Sequence, residues 1–193
     1  MPLLLLAVLV LSPLTGQQAD AVRLFDDGVT WQQFLDDARA RRNTWQTNAG
    51  RTSFDEALVE RLKRAGDGLT ILAVSIDTCS DSVHTIPYIA NLAAQAGIDL
   101  RIIDPTAGAS VLERYRTPDD RGATPTVVLI RGGREVGAWV ERPEPLQSWF
   151  LSMSHVGQRA RVDRKMSWYE WDRGDTTVEE FVALVESTVP GGR

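Results

Sequence analysis

The chain has one cysteine, Cys79, which stands between an apolar run and a helical pattern. Residues 69–76 alternate and cluster as a buried strand does, and residues 81–97 carry apolar side chains at helical spacing. Cys79 is therefore predicted to lie on a strand-to-helix turn, where the unpaired N–H groups of a helix start favour the nucleophilic thiolate. The alternative is an inert buried thiol, because a free cysteine also packs as a small hydrophobic residue.

Polar neighbours of this cysteine would change its reactivity. Asp77 and Asp81 bring negative charge that opposes the thiolate, so the direction of the net effect stays open. Asp81 is a candidate catalytic residue, although an acidic residue there also complements a helix N-terminus. Ser82 is a further candidate, because its hydroxyl can donate to the thiolate or satisfy a backbone group of the first helical turn. No internal disulfide can form in a chain with one cysteine.

Other kinds of reactive centre are less well supported by the sequence. The two histidines are His84 and His155. His84 is five residues beyond Cys79, about 140° round a helix, and is predicted to point away from the thiol into solvent. A cysteine hydrolase or peroxidase is therefore the least favoured class of enzyme. Nothing in the sequence predicts a metal site or a cofactor.

Length and charge limit the partners that this chain can have. Its 193 residues are enough for one domain with a real core. A net charge of −5 argues against nucleic acid or an anionic membrane as a partner.

The N-terminus resembles an export signal. An apolar run over residues 2–11 is too short to span a bilayer, and Ala19-Asp20-Ala21 has the small-x-small form of a signal-peptidase site. Residues 1–21 are thus expected to be removed, so that the mature chain begins near Val22 without a stable membrane span. The protein would then be periplasmic or secreted. No Lys or Arg precedes the run, and without a true signal the protein would be cytoplasmic.

The remaining pattern predicts helices and strands in alternation. Thr30 is predicted to be an N-cap, and Ser53 with Glu56 has the form of a capping box. Helices are predicted over residues 31–44, 57–65, 81–96, 109–115, 145–158 and 177–187, and strands over residues 69–76, 99–104, 126–130 and 135–140. The strand-helix-strand unit at residues 69–104 favours a parallel pair.

This order of elements, together with several short segments, resembles a bacterial thioredoxin-like family. Members commonly show Trp-Cys-Gly-Asp at the active turn, Ile-Pro before a hairpin, Arg-Pro after it and a Trp-Tyr-x-x-Asp tail. The matching segments here are Cys79-Ser80-Asp81-Ser82, Gly122-Ala123-Thr124-Pro125-Thr126, Glu141-Arg142-Pro143 and residues 168–174. The chain departs from the pattern at Thr78, where tryptophan is common, and at Ser80, where glycine is common.

The resemblance implies an α/β fold: a thioredoxin-like three-layer arrangement with a central mixed sheet, extra N-terminal helices and a C-terminal helical extension. Residues 22–68 would form an N-terminal helical segment packed on a domain of residues 69–193. It also implies a cis bond before Pro125, which would present Thr124, together with Thr78, to an extended peptide or a small thiol. An ordinary trans proline is the alternative.

For function, the resemblance implies a thiol-disulfide protein that lacks the second cysteine, because Ser82 occupies its place. Ala73 stands where thioredoxins carry a buried carboxylate, which argues against an autonomous dithiol reductase. The expected function is exchange through Cys79, with a protein or a low-molecular-weight thiol or disulfide as partner and an outside thiol resolving the adduct. The alternative is a peptide-binding module of the same fold without turnover.

Overall fold

The computed structural model describes residues 19–191, which contain ten helices and five strands. The strands are β1 (Val29–Thr30), β2 (Leu69–Val74), β3 (Asp99–Ile103), β4 (Thr126–Arg131) and β5 (Arg134–Val140). The helices are α1 (Ala19–Asp27), α2 (Trp31–Asp37), α3 (Arg42–Ala49), α4 (Glu56–Ala65), α5 (Ser80–Val83), α6 (Ile86–Gln95), α7 (Ala109–Arg114), α8 (Glu144–Ser152), α9 (Gln158–Asp172) and α10 (Asp175–Ser187).

The five strands form one mixed sheet in the order β1-β3-β2-β4-β5. β2 and β3 run parallel, as the strand-helix-strand unit predicts, and the other neighbours pair antiparallel. β2 therefore lies at the centre of the sheet. Cys79 follows the C-terminal end of β2 and so lies near the middle of the sheet, at the end where β2 stops.

Helices cover both faces of this sheet. Ile71 and Ala73 of β2 belong to the larger core cluster, to which α3, α4, α6 and α10 contribute. Leu72 and Val74 point to the opposite face and belong to a second cluster with α1 and α7. This alternation follows from the two-residue period of a strand, and it explains why β2 reads as a continuous apolar run. The predicted three-layer α/β fold with a mixed central sheet is confirmed.

Two predicted helices are interrupted, each for an identifiable reason. The helix that begins after the N-cap Thr30 ends at Asp37, because the N–H groups of Arg39 and Ala40 donate to the carboxylate of Asp77 instead of continuing the helix. The helix that follows Cys79 breaks before Pro87, which lacks the N–H that would bond to the carbonyl of the residue four positions earlier.

Helix ends also differ from the sequence prediction. The N-cap of α4 is Asp55, whose carboxylate accepts the N–H of Ala57 at 2.7 Å, and not Ser53. The helix predicted over residues 145–158 ends at Ser152, and α9 follows it. α1, β1 and α9 were not predicted.

Most of the expected export signal, residues 1–18, lies outside the described residues. Within residues 19–191, no helix has the length and apolar character that crossing a bilayer requires.

Candidate active site around Cys79

Cys79 lies between the end of β2 and the start of α5, and its side chain is half-buried. It is the N-cap residue of α5: its Sγ accepts the backbone N–H of Ser82 at 3.4 Å. The thiol also donates to the carbonyl oxygen of Thr124 at 3.2 Å. The turn and the proline segment, 45 positions apart in sequence, thus meet at the sulfur atom.

The proline segment opens β4. The peptide bond between Thr124 and Pro125 is cis. Pro125 is buried, and its carbonyl accepts the backbone N–H of Glu141 at 2.7 Å, whereas Thr124 is half-buried beside the cysteine. The segment therefore contacts the thiol through backbone atoms.

The segment between α2 and α3, residues 38–41, is called the strap here because it holds the turn that precedes the cysteine. The carboxylate of Asp77 accepts two backbone N–H groups of the strap, each at 2.9 Å, and the carbonyl of Asp77 accepts the indole N–H of Trp45 at 3.0 Å. The side chain of Arg41 donates to the carbonyl of Thr78 at 2.8 Å. Asp77 is thus occupied by the strap, while Thr78 stays exposed at the rim of the site.

Ser82 makes neither of the hydrogen bonds that the sequence allows for its hydroxyl. The residue is fully buried, and within the described part of the chain its Oγ has no hydrogen-bond partner. The contact with the sulfur of Cys79 comes from the backbone N–H, which residues of any type except proline supply. The backbone of Ser82, and not its hydroxyl, therefore contacts the thiol.

Asp81 lies in a buried network of charges. The residue is 6% exposed, and its carboxylate accepts hydrogen bonds from the ammonium of Lys165 at 2.8 and 3.0 Å. The hydroxyl of Tyr169 donates to it at 2.7 Å, and the guanidinium of Arg142 lies 3.4 Å away. One buried carboxylate therefore faces two buried cations.

Arg142 connects this carboxylate to a second acidic residue. It pairs with Glu141, which Arg121 contacts from the surface at 3.2 Å. The guanidinium also lies 4.4 Å from the centre of the Phe150 ring. These contacts place Glu141 and Arg142, which follow β5, directly behind the active turn.

Tyr169 and His84 form a stacked pair of rings with centres 4.8 Å apart. Burial, and then the negative charge of Asp81, raises the pKa of Tyr169 well above its usual value, so this hydroxyl stays a donor. His84 is 9% exposed and not solvated, in contrast to the sequence prediction. α5 ends at Val83, with His84 as its C-cap residue, and α6 begins at Ile86, so the position of the ring cannot be derived from a continuous helix.

Burial lowers the pKa of His84 to about 4 despite the opposing effect of Asp81, and the positive charges of Lys165 and Arg41 lower it further. In the unfolded chain the pKa of His84 has its ordinary value of 6.5, so the unfolded chain binds a proton more readily than the folded protein does. Stability should therefore fall as the pH decreases from 6.5 to 4, by about 3 kcal/mol for this group. Urea unfolding of wild type and His84→Phe across this range measures the effect.

In this experiment the difference in unfolding free energy between wild type and His84→Phe isolates the histidine from the acidic groups that also titrate. His155 is exposed, so His155→Gln should keep the wild-type pH dependence. Parallel curves for wild type and His84→Phe would contradict the assignment of a buried neutral histidine.

Of the tail residues that the resemblance singled out, only some belong to this site. Tyr169 is buried in the charge network, whereas Trp171 is 77% exposed. Asp172 accepts the backbone N–H groups of Gly174 and Thr176, each at 3.1 Å, and so caps α10. Sequence reasoning assigned no role in the site to Lys165, although it is one of only two lysines.

Comparison with known proteins identifies the fold family. A family model described as thioredoxin matches residues 28–161. The chain belongs to the thioredoxin family. A crystal structure of a protein of unknown function from Pseudomonas aeruginosa shares 21% identity, with a TM-score of 0.65, covering 89% of this chain and 99% of that one. An HIV epitope-scaffold is similar at 21% identity and a TM-score of 0.63, with 88% and 99% of the two chains covered.

These two structures support the thioredoxin fold. At 21% identity, structural similarity is evidence of a shared fold and not of a shared function. No curated protein matches the chain. Membership in the thioredoxin family supports a general redox or adaptor role, with protein or thiol substrates. Within residues 19–191, no cluster of His, Cys, Asp and Glu has the composition of a metal site.

Proposed function

We propose that this protein carries out thiol-disulfide exchange through the single thiol of Cys79. The observation that carries the proposal is the position of the sulfur: it is half-buried at a helix start, accepts the N–H of Ser82 and contacts Thr124 of the proline segment. A thiolate at this position keeps the N–H donor, and a hydrogen bond to an anion is stronger than one to a neutral thiol.

The exchange forms one disulfide for each one that breaks. The Cys79 thiolate attacks one sulfur of a partner disulfide, the S–S bond of the partner breaks, and the released thiolate takes a proton from water. The product is a mixed disulfide between Cys79 and the partner. An external thiol then attacks this bond and frees Cys79, because the hydroxyl of Ser82 cannot do so.

The other candidate residues support this step from fixed positions. The carboxylate of Asp81 is fully engaged by Lys165, Tyr169 and Arg142, so we assign it the role of anchoring the start of α5 beneath the thiol. The carbonyl oxygen of Thr124, which precedes the cis bond to Pro125, contacts the thiol, and the exposed Thr78 lies on the rim, where a partner would contact it.

The proposal is tested by the rate at which Cys79 reacts. The native protein and a synthetic peptide of residues 75–83 would each be mixed with a chromogenic aromatic disulfide at pH 7. We expect the native thiol to react roughly tenfold faster, which corresponds to an activation free energy about 1.4 kcal/mol lower than in the peptide. Mass spectrometry should show a stable one-to-one adduct, and Cys79→Ser should form none.

A thiol that reacts more slowly in the native protein than in the peptide would contradict the proposal. That outcome would favour the alternative, a thioredoxin-fold module that binds peptides without turnover. With insulin-type disulfides, wild type should retain the adduct and reduce little substrate unless a small thiol is added.

A further inference from the structure

A cleft of about 660 Å³ lies beside the stacked rings of His84 and Tyr169. Its walls come from α3, from α6 and from the end of α9. The volume is in the range of pockets that hold small organic molecules, about 300–1,000 Å³. Cys79 and the proline segment do not line it, so the cleft is separate from the proposed site of exchange.

The protonation of His84 can be read from its contacts. The side-chain nitrogen of Asn48 donates to the carbonyl of Val83 at 2.7 Å, which fixes the orientation of the amide, and the same nitrogen lies 3.2 Å from Nδ1 of His84. Nδ1 is therefore the acceptor and Nε2 carries the proton, because the ring is neutral at neutral pH. Among the described residues, none accepts a hydrogen bond from Nε2. The ring offers an N–H group at the wall of the cleft.

Tyr88 provides a second donor of this kind. The residue is 4% exposed and lines the cleft, and within residues 19–191 its hydroxyl has no hydrogen-bond partner. Burial raises its pKa, so the hydroxyl keeps its proton at neutral pH. The ring is fixed, because Gly174 packs so closely against it that a Cβ at that position would lie 2.1 Å from a ring carbon.

Positive charge comes from Arg173 at the end of α9. Its backbone is fixed in the left-handed region with φ 51°, and its N–H donates to the carbonyl of Tyr169 at 2.9 Å. In the described part of the chain, its guanidinium has no ion-pair partner, whereas Arg51 beside it pairs with Asp175. Of the described residues that line the cleft, only the exposed Glu170 carries a carboxylate.

We propose that this cleft binds a small organic molecule through a carboxylate group, which accepts hydrogen bonds from His84 and Tyr88 and pairs with Arg173. His84 and Tyr88 supply two neutral hydrogen-bond donors and Arg173 supplies one positive charge, which together suit a group with a single negative charge. A phosphate dianion carries two charges on one group and would require more positive charge there than Arg173 offers, since Arg51 is already paired and Glu170 opposes it, whereas each carboxylate of a diacid carries one charge. The proposal does not depend on the reactivity of Cys79.

The binding is tested by nuclear magnetic resonance, for which the two histidines give separate ring signals. Titration with glutarate and with benzoate should shift the ring nitrogens of His84 to saturation and leave those of His155 unchanged. Glutaramide, which has the size of glutarate without its charge, should produce no shift at the same concentrations. Inorganic phosphate should bind more weakly than glutarate.

Matched variants separate the cleft from general charge effects. Arg173→Gln should weaken glutarate binding about tenfold, because it removes a charge-assisted hydrogen bond. A tenfold change in affinity corresponds to about 1.4 kcal/mol. Tyr88→Phe should weaken it several-fold. Arg164→Gln removes the same charge from an exposed position outside the cleft and should leave the affinity unchanged.

The proposal is overturned if neither glutarate nor benzoate shifts His84 to saturation, if glutaramide binds equally well, or if phosphate binds more tightly. An equal loss of affinity in Arg164→Gln and Arg173→Gln would overturn it as well. The thermal unfolding midpoint of each variant shows whether it is folded, and the two cleft variants provide independent tests.

Discussion

Replacing Ser82 with cysteine should convert the single-thiol site into a dithiol that releases its captured partner without help. We expect release from a preformed mixed disulfide to become at least about 100-fold faster in the absence of added thiol, because attack from within the same helical turn replaces an encounter in solution. The positions are suitable: the backbone N–H of Ser82 already lies 3.4 Å from the sulfur of Cys79. In a helix, Cα atoms three residues apart are separated by about 5 Å, which is within the range of Cα separations that a disulfide spans.

The chemistry of this release balances within the variant. The new thiolate at position 82 attacks the sulfur of Cys79, the bond between Cys79 and the partner breaks, and the partner leaves as a thiolate that takes a proton from water. The variant ends with an internal disulfide, so each molecule turns over once unless a reductant is supplied. Mass spectrometry of the preformed adduct over time gives the rate for wild type and for the variant.

Ser82→Ala is the matched control for this experiment. The hydroxyl of Ser82 is buried and has no partner among residues 19–191, so its removal costs no hydrogen bond and should leave stability near that of wild type. Its adduct should persist as the wild-type adduct does. If Ser82→Ala released the partner as fast as Ser82→Cys, or if the adduct of Ser82→Cys persisted, the geometry assigned to the active turn would be wrong.

The sequence predicted the fold well where apolar side chains dominate. Strand β2 is apolar on both faces because helices cover both, and this run placed Cys79 correctly between a strand and a helix. The prediction failed where side chains from distant segments decide the backbone. Two N–H groups that donate to Asp77 end α2 early, and nothing local to Arg39 or Ala40 signals this contact.

The charge network behind the turn was missed for a related reason. The buried residues of α9 are Lys165, Tyr169 and Asp172, which share one face of the helix at spacings of four and three. Their polarity hides the helix from a search for apolar periodicity. Hydrophobic pattern therefore identifies the helices that pack on the sheet, and it cannot identify one whose inward face is polar. The family-like segments at Glu141-Arg142 and Trp168-Tyr169 were the only sequence signal of this region.

The same network leads to the largest expected change in stability. Asp81→Asn keeps the shape of the side chain and removes its charge, which leaves the ammonium of Lys165 and part of the charge of Arg142 buried without a counter-ion. Breaking a buried ion pair from one side costs about 3–5 kcal/mol, because the remaining charge is neither hydrated nor paired. Urea unfolding at pH 7 should show a loss of this size.

Two further variants determine whether the loss comes from the unpaired charge. Asp175 pairs with Arg51 at the surface, where its side chain is 73% exposed, so Asp175→Asn should cost less than about 1 kcal/mol. Adding Lys165→Met to Asp81→Asn removes the stranded ammonium and should recover part of the lost stability, because Arg142 still pairs with Glu141. A double variant that is less stable than Asp81→Asn would instead mean that Lys165 stabilises the fold through contacts other than Asp81. Such a result would remove the reason for treating the carboxylate and the ammonium as one unit beneath the thiol.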